Sequence, residues 1–211
     1  MESVKKLLYG DYNPYSFTAE PMPLDDQGWN SDSAVFLKLL EIEPKLIIEV
    51  GTWKGASAIH MANILKENYT DFEIVCVDTW CGNVEHWNPS SEHSVWFKNN
   101  LVNGRPTIYD QFRSNIIHHG LTDYITPFPI DSINAFEWFK VANVMADAIY
   151  IDAGHDYNSV RMDLSNWAHI LRPGGYLIGD DWFYPPIKQA VYDTFGDKVI
   201  EMSDDKYLWI R

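Results

Sequence analysis

The sequence has little cysteine, with 2 residues among 211. A chain of this length cannot be held together by so few thiols, which excludes a disulfide-based scaffold. Neither cysteine stands in the CxxC spacing typical of a metal site. We predict that Cys76, inside an apolar run, is a small core residue and that Cys81, after a strand, is a loop thiol.

Positive charge and long apolar runs are also scarce. The chain carries 16 Lys and Arg against 30 Asp and Glu, a net charge of −14, and such a surface repels phosphate backbones. No apolar run approaches the ~20 residues of a membrane span, and residues 1–17 lack the apolar stretch of a signal peptide. We therefore predict a cytoplasmic protein that binds neither nucleic acid nor membrane.

What the sequence does contain is apolar and aromatic side chains, 46% and 15% of its residues, which excludes an intrinsically disordered chain. The length suits a single domain, residues 1–211. Residues 1–30 are rich in Pro, Gly, Asp and aromatic residues, and we interpret them as an N-terminal lid segment. Residues 80–104 lie outside the core pattern, and we interpret them as an insertion.

Strand and helix patterns alternate along the rest of the chain. Short apolar runs rich in β-branched residues predict strands at 46–50, 73–78, 124–129, 146–152 and 176–179, and a hairpin at 199–202 and 207–210. Nearly continuous apolar strands separated by helices predict an α/β fold with a doubly wound, parallel sheet covered on both faces. Ligands of such sheets bind beyond the carboxyl ends of the strands, so the residues after each strand are the functional candidates.

The first two strand ends suit a ligand with anionic and ribose groups. Gly51 and Gly55 allow a tight turn, and the helix after them presents free N–H groups. Trp53 interrupts the GxGxxG dinucleotide fingerprint, which disfavours a nicotinamide dehydrogenase. Asp78, 27 residues after Gly51, can accept both hydroxyls of a ribose. The alternatives are an ordinary strand-to-helix turn and an exposed strand-end aspartate.

The later strand ends carry polar groups of other kinds. Asp131 or Ser132 can accept from an adenine amino group, although a helix N-cap also explains Ser132. Three aspartates, at positions 152, 180 and 181, end the fourth and fifth strands. If these strands are adjacent, the carboxylates share one cleft and require protonation or a cation between them. Oxygen ligands favour Mg²⁺, Mn²⁺ or Ca²⁺ over zinc. The alternative is that Asp180 caps the next helix and Asp181 faces solvent.

A histidine and several tryptophans lie at the same strand ends. His155 stands three residues after Asp152 and is a candidate general base near neutral pH. Trp53, Trp80 and Trp182 each follow a strand. Aromatic rings at a cleft mouth can stack on adenine, on an apolar acceptor or on a sulfonium cation.

Two stretches of the sequence together resemble a known family over about residues 30–211. EVGTWKGASAIHMA, residues 49–62, resembles the first cofactor motif of the small metal-dependent O-methyltransferases of the catechol O-methyltransferase type. IDAGHDYNSVRMDL and LRPGGYLIGDDW are similar to the fourth and fifth strands of these class I S-adenosylmethionine-dependent methyltransferases. The resemblance implies a Rossmann-like sheet of seven strands ending in a β-hairpin, and transfer of the S-adenosylmethionine methyl group to a small-molecule hydroxyl.

The resemblance also implies roles for individual residues. The methionine half of the cofactor would be lined by Glu49, Gly51, Thr52, Trp53, Gly55 and Ser57. Asp78 would take the ribose, and adenine would be bordered by Thr79, Trp80, Asp131 and Ser132. Asp152, Asp180 and Asp181 would hold a divalent cation, Mg²⁺ or else Mn²⁺ or Ca²⁺. His155 and Asp152 would be catalytic. The segments 1–30 and 80–104 match no acceptor-binding segment of the family, and it is their aromatic-rich, loop-like sequence that predicts that they cover the acceptor.

The sequence departs from the family in two places. His155 stands where the catechol type has lysine, and Asp180-Asp181 stands where it has Asp-Asn. Two alternatives therefore stay open: a metal-independent methyltransferase acting on another acceptor atom, and a non-catalytic module that binds S-adenosylmethionine. The oligomeric state is open as well, a homodimer included.

Overall fold

The computed structural model describes residues 3–17 and 20–211, so residues 1–2 and 18–19 of the predicted lid segment lie outside the described residues. A seven-stranded sheet in the order β5-β2-β1-β6-β7-β9-β8 is its centre. The first five strands in that order are parallel, and β9 is antiparallel to both β7 and β8. The strands are β1 Leu46–Val50, β2 Glu73–Asp78, β3 Leu101–Val102, β4 Arg105–Pro106, β5 Ile125–Pro129, β6 Ala146–Ile151, β7 Leu171–Gly179, β8 Val199–Glu201 and β9 Tyr207–Ile210.

Helices cover both faces of this sheet. Ile47 and Ile48 are adjacent in β1, yet they belong to two separate apolar clusters, because successive side chains of a strand point to opposite faces. Helices α2 and α5 pack on one face, and α6, α7 and α8 pack on the other. The helices are α1 Val4–Tyr9, α2 Ala56–Lys66, α3 Val84–Trp87, α4 His93–Lys98, α5 Ile108–His118, α6 Ser132–Val141, α7 Tyr157–Ile170 and α8 Pro185–Phe195, with 3-10 helices at Ala34–Glu41 and Gly196–Lys198.

The predicted doubly wound α/β fold with its C-terminal hairpin is confirmed. One strand is longer than the predicted 176–179, since β7 begins at Leu171 and includes the Arg172–Gly175 segment. Its pairing with β6 shifts there, with Leu171 opposite Ala146 and Tyr176 opposite Ala148. Gly174 has a φ of +78°, so it supplies the turn that this irregular stretch needs.

The two segments assigned to the acceptor side differ from the prediction in their local structure. α1 begins where the Val4 and Lys5 amides donate to the Glu73 carboxylate, at 2.8 and 2.7 Å. Glu73 starts β2, so α1 lies at the edge of the sheet opposite the strand ends that carry the candidate residues. Residues 80–104 contain α3, α4 and the short strand β3. Within the described ranges, no helix is both long enough and apolar enough to cross a membrane.

Candidate active site

The ends of β1 and β6 touch at the point where the strand order of the sheet reverses. The Asp152 amide donates to the Val50 carbonyl oxygen at 2.9 Å. Gly51 has a φ of +84°, and a Cβ atom there would stand 1.9 Å from the Asp152 carbonyl oxygen. Only glycine allows this approach. The glycine-rich turn and Asp152 are therefore neighbours.

The turn between β1 and α2 is held in an unusual backbone conformation. Trp53 has a φ of +52°, a region that residues other than glycine rarely adopt. Gly55 has a φ of +89°, begins α2, and leaves no room for a Cβ atom because Phe112 of α5 would lie 2.9 Å away. Trp80 after β2 and Asp181 after β7 also have positive φ values, +52° and +57°. Strained backbone therefore lies at three strand ends of one edge of the sheet, as is typical of functional sites.

Asp78 binds this turn directly. Its Oδ2 accepts from the amides of Thr52 and Trp53 at 2.9 and 3.0 Å, and its Oδ1 accepts from the Trp80 amide at 2.7 Å. A carboxylate has about four acceptor positions, so these bonds use three of them. The structure thus brings Asp78 and the glycine-rich turn together as predicted, and the carboxylate also braces the turn.

Glu49 lies beneath the turn and is fully buried. Its carboxylate accepts from the hydroxyls of Thr52, at 2.8 Å, and Ser57, and from the Cys76 thiol at 3.4 Å. Burial raises the pKa of Glu49 to about 7, although these hydrogen bonds oppose the shift. In this structure Glu49 and Ser57 therefore bond each other under the turn, which differs from the expected open lining of a cofactor pocket.

The residues predicted to border adenine separate into buried and exposed ones. Trp80 is 3% exposed, packs on Tyr109 and Phe112 of α5, and donates its ring N–H to the Trp53 carbonyl at 2.7 Å. Its large ring is thus part of the core. Thr79 is exposed, and its hydroxyl accepts from the Cys81 amide at 3.1 Å.

The polar pair after β5 serves the start of α6. Asp131 is the N-cap of α6. Hydrogen bonds from the Asn134 side chain, at 2.7 Å, and from the Asn134 amide, at 3.0 Å, lower the pKa of the Asp131 carboxyl group. The Ser132 hydroxyl donates to Asp163 and accepts from the Trp167 ring N–H at 2.8 Å. Ser132 is therefore committed to an internal network, because both of its hydrogen-bonding roles are filled within the chain.

A second cluster joins the ends of β6 and β7. Asp152, His155 and Asp181 each place one potential ligand atom within 4.8 Å of the others. His155 Nε2 lies 3.1 Å from Asp181 Oδ2, and its Nδ1 lies 3.2 Å from Glu85 Oε2 in α3. The hydrogen bond to Asp181, with the charges of Asp181, Glu85 and Asp152, raises the pKa of His155 to about 9 against the effect of burial. Without a further positive charge, the ring is therefore protonated at neutral pH.

Asp180 does not join this cluster, so the structure does not bring the three predicted aspartates together. Its Oδ2 lies 2.7 Å from the Nζ of Lys206 and accepts from the Tyr150 hydroxyl at 2.9 Å. Its Oδ1 accepts from the Asp181 amide at 2.8 Å. The physical reason is that a fully buried ammonium needs a charged partner, and Asp180 provides it. Burial, together with repulsion from Asp180 and Asp181, raises the pKa of Asp152 well above its ordinary value.

Sequence reasoning missed three residues of this site. Lys206 stands in the turn sequence SDDK and carries no sign of its burial. Glu85 lies in the insertion, where no pattern indicated a contact with His155. Tyr150 could have been found, because residues two apart in a strand share a face and Tyr150 precedes Asp152 by two.

Aromatic side chains form a cluster beside the site. The ring of Trp53 stacks on His86 with centroids 5.0 Å apart, and Trp29 lies 6.1 Å from Trp53 and 5.6 Å from Trp96. Trp29 and Trp96 are 46% and 43% exposed, so this aromatic cluster has faces open to solvent. Trp182, in contrast, is buried against Tyr207, which corrects its predicted place at the cleft mouth.

The amino-acid sequence is similar to those of known methyltransferases. Residues 48–182 match a protein family described as a methyltransferase domain. A curated relative from Streptomyces olivaceus, 8-demethyl-8-(2,3-dimethoxy-alpha-L-rhamnosyl)-tetracenomycin-C 4'-O-methyltransferase, is 25% identical over 177 residues, 79% of this chain and 66% of that protein. Mycinamicin III 3''-O-methyltransferase from Micromonospora griseorubida is 24% identical over 182 residues, 80% of this chain and 69% of that protein. The chain thus spans about two thirds of the length of these relatives.

Solved structures share the fold of this chain. An O-methyltransferase from Bacillus cereus in complex with SAH aligns with a TM-score of 0.58 and 17% identity, covering 89% of this chain and 82% of that one. At that level of identity the likeness concerns the fold.

Proposed function

This chain belongs to the methyltransferase-domain family, and on that basis we propose that it transfers the methyl group of S-adenosylmethionine to a hydroxyl of a small molecule. The observation that carries the proposal is the contact between Gly51 and Asp152. It joins a glycine-rich turn suited to the cofactor with a cluster of carboxylates and a histidine suited to the acceptor. Methyl transfer needs both halves within a few ångströms, since most of the rate comes from bringing oxygen and methyl together.

We propose that the cofactor lies over the turn of residues 51–55. The main chain at Gly51, Thr52, Trp53 and Gly55 would face its methionine half, while Glu49 and Ser57 support the turn from below. The first amides of α2 suit a carboxylate, because a helix N-terminus is electropositive. Asp78 would accept one ribose hydroxyl at its remaining acceptor position. A second hydroxyl would replace one of the three backbone amides that now donate to the carboxylate. Thr79 is exposed and Asp131 is half-buried, and these two are the candidates beside adenine, with the buried Trp80 and the half-buried Ser132 as support behind them.

A divalent cation fits the second cluster by the chemistry of its donors. Asp152, His155 and Asp181 offer two carboxylate oxygens and one imidazole nitrogen, a set that suits Mn²⁺ or Mg²⁺. Bound there, such an ion would act as a Lewis acid that orients the acceptor hydroxyl and lowers its pKa. As a ligand, His155 needs a neutral ring, and this requires an ion whose charge balances Asp152 and Asp181, because these carboxylates otherwise keep the ring protonated. A ring nitrogen that binds the ion cannot also be the predicted general base.

The aromatic cluster indicates the kind of acceptor. Trp29 and Trp96 present open ring faces next to Trp53. His86, stacked on Trp53, belongs to the same helix α3 as Glu85, which contacts His155. Open ring faces bind flat or ring-shaped molecules by stacking. A ring-bearing small molecule fits this surface, and the rhamnosyl compound named for one relative belongs to that class. The cytoplasmic location, the homodimer and the absence of nucleic-acid or membrane partners stay predictions.

Two measurements test the proposal. Calorimetry should detect S-adenosylhomocysteine binding to the purified chain, since product and cofactor share the adenosine and amino-acid parts. Radiolabelled S-adenosylmethionine should then label a member of a panel of phenols and glycosides. If calorimetry shows no heat at millimolar S-adenosylhomocysteine, the proposed cofactor is wrong. Tight binding without labelling of any hydroxyl would favour the non-catalytic module.

A further inference from the structure

We propose that Lys206 is a positioning residue that supplies an internal positive charge to the carboxylate cluster and withdraws Asp180 from the cation ligands. The inference rests on the proposed cation site, and it assigns that site to Asp152, His155 and Asp181 alone. The predicted trio of aspartates becomes two ligands and one partner of a lysine. Lys206 touches neither cofactor nor acceptor in this scheme and acts through the aspartate that it binds.

The sheet register places Lys206 beside Asp180. Gly179 of β7 is opposite Tyr207 of the antiparallel β9, so the residue before Tyr207 stands opposite the residue after Gly179. The hairpin is also tied to the end of β7, because the Trp182 amide donates to the Asp205 carbonyl at 2.9 Å. The ammonium group is therefore delivered to the carboxylate by two strands whose pairing fixes its position.

Burial makes the pairing obligatory. The Lys206 side chain is 0% exposed, and its Nζ lies 2.7 Å from Asp180 Oδ2. Its Nζ also lies 6.0 Å from the centre of the Tyr150 ring, over the face of that aromatic group. A buried ammonium group loses its hydration, and only a nearby carboxylate compensates for that loss. Breaking the contact between Asp180 and Lys206 would therefore strongly destabilise the folded protein.

Asp180 consequently has little capacity left for a cation. Its Oδ2 forms the ion pair with Lys206 and accepts a hydrogen bond from the Tyr150 hydroxyl, and its Oδ1 accepts a hydrogen bond from the Asp181 amide. The Tyr150 hydroxyl lies 3.2 Å from Asp152 Oδ2 as well, so it stands between the two carboxylates. Lys206 thus acts on a proposed ligand through Asp180 and Tyr150, holding Asp152 in place by a chain of three contacts.

Mn²⁺ binding, followed by electron paramagnetic resonance in the full chain, distinguishes this arrangement from the aspartate trio. The double variant Asp180→Asn with Lys206→Met removes both charges of the buried pair together. It should keep the Mn²⁺ dissociation constant within about 3-fold of the parent protein, because Asp180 is not a ligand. Its matched control, Asp181→Asn, should weaken Mn²⁺ binding by about 10-fold or more, because it removes a ligand charge. Equal losses in the two variants would overturn the proposal.

Lys206 itself is tested with a length-matched pair of variants. Lys206→Met leaves Asp180 free to bind the ion, so Mn²⁺ affinity should rise by about 10-fold, whereas Lys206→Arg keeps the charge and should resemble the parent. A merely structural lysine would leave Mn²⁺ affinity unchanged in the methionine variant, and that result would overturn the positioning role. If Lys206→Met fails to fold, the Asp180 and Asp181 variants still decide which aspartate is a ligand.

S-adenosylhomocysteine calorimetry on the same samples keeps this test separate from the proposed function. Binding of S-adenosylhomocysteine with no Mn²⁺ binding in the parent would overturn the inference and leave methyl transfer standing. Selective Mn²⁺ loss in Asp181→Asn without any S-adenosylhomocysteine binding would support the inference and overturn the proposed cofactor.

Discussion

The ring of Tyr207 lies directly over Gly179, so closely that a Cβ atom on the glycine would stand 2.0 Å from the ring carbon Cζ. Both residues are buried, and they are paired across β7 and β9. The contact fixes the register of the C-terminal hairpin, and that register sets the position of Lys206.

Gly179→Ala should therefore destabilise the protein by about 1–3 kcal/mol, because the added methyl group has to displace a buried aromatic ring. Urea unfolding followed by far-UV circular dichroism measures the loss. The double variant Gly179→Ala with Tyr207→Val supplies the control, since the smaller side chain relieves the clash. A double variant whose loss equals the sum of the two single losses would contradict the proposed contact.

Asp78→Ala should weaken S-adenosylhomocysteine binding by about 10- to 100-fold, equivalent to about 1.5–3 kcal/mol, because it removes the ribose acceptor and the brace of the turn. The measurement is titration calorimetry at constant pH. Asp71→Ala makes the same chemical change at an exposed aspartate and should leave the affinity unchanged. Unchanged affinity in Asp78→Ala would remove Asp78 from the cofactor site.

Removal of divalent cations should abolish turnover while leaving S-adenosylhomocysteine affinity nearly intact, because the proposed ion serves the acceptor. The experiment compares methyl transfer in EDTA, and after addition of excess Mg²⁺ or Mn²⁺, with calorimetry in both conditions. Full activity in EDTA would favour the metal-independent alternative.

His155→Ala should lower turnover by about 10²- to 10⁴-fold with little change in S-adenosylhomocysteine affinity, because the ring contacts Asp181 and Glu85 and not the cofactor turn. Steady-state assays with an identified acceptor measure the effect. Glu85→Gln keeps the shape of the Nδ1 partner and removes its charge, so it should cause a smaller loss. Normal turnover in His155→Ala would remove His155 from the proposed cation site.

The buried carboxyl of Asp163 should make stability fall as pH rises. Burial raises its pKa to about 6 from an ordinary 3.8, so the folded state holds a proton that the unfolded chain releases. The stabilising effect of that proton is fully present below about pH 4 and is lost as pH rises through 6, a difference of about 2–3 kcal/mol.

Asp163→Asn isolates this contribution. Relative to the parent, the variant should be more stable at pH 8 than at pH 5, because its amide carries no charge in the core. Asp193→Asn is the matched control, since hydrogen bonds from Tyr157 and Gln189 lower the pKa of that exposed carboxyl group and no proton is exchanged in this window. A parent-to-variant difference that is equal at both pH values would contradict the titration of Asp163.

The fold was predictable because local pattern and tertiary structure agree. The apolar runs at Leu46–Val50 and Glu73–Asp78 are strands, as the sequence predicted. The predicted and observed elements differ where glycine and proline suggest the end of an element but lie within an irregular strand. Arg172–Gly175 is the example, since the pairing of β6 with β7 carries the strand through residues that normally end elements.

The candidate site was predictable in position and less so in detail. The edge of the sheet follows from the strand ends alone, and Asp78 and Asp152 lie there. The partners of each carboxylate depend instead on registers and loops that join distant segments. Lys206 reaches Asp180 only through the hairpin pairing, and Glu85 reaches His155 only through the fold of the insertion. No spacing along the chain carries that information.

The contact between Gly51 and Asp152 limits how such a protein can diversify. A shift of the main chain on one side of the contact pushes the other side, so a new acceptor cannot be accommodated by moving the end of β6 without disturbing the cofactor turn. The segment of α3 and α4, with its open tryptophan faces, is free of that restriction. Changes of acceptor preference, in a laboratory library or among relatives, are therefore expected to concentrate in residues 84–98 while the strand ends stay fixed.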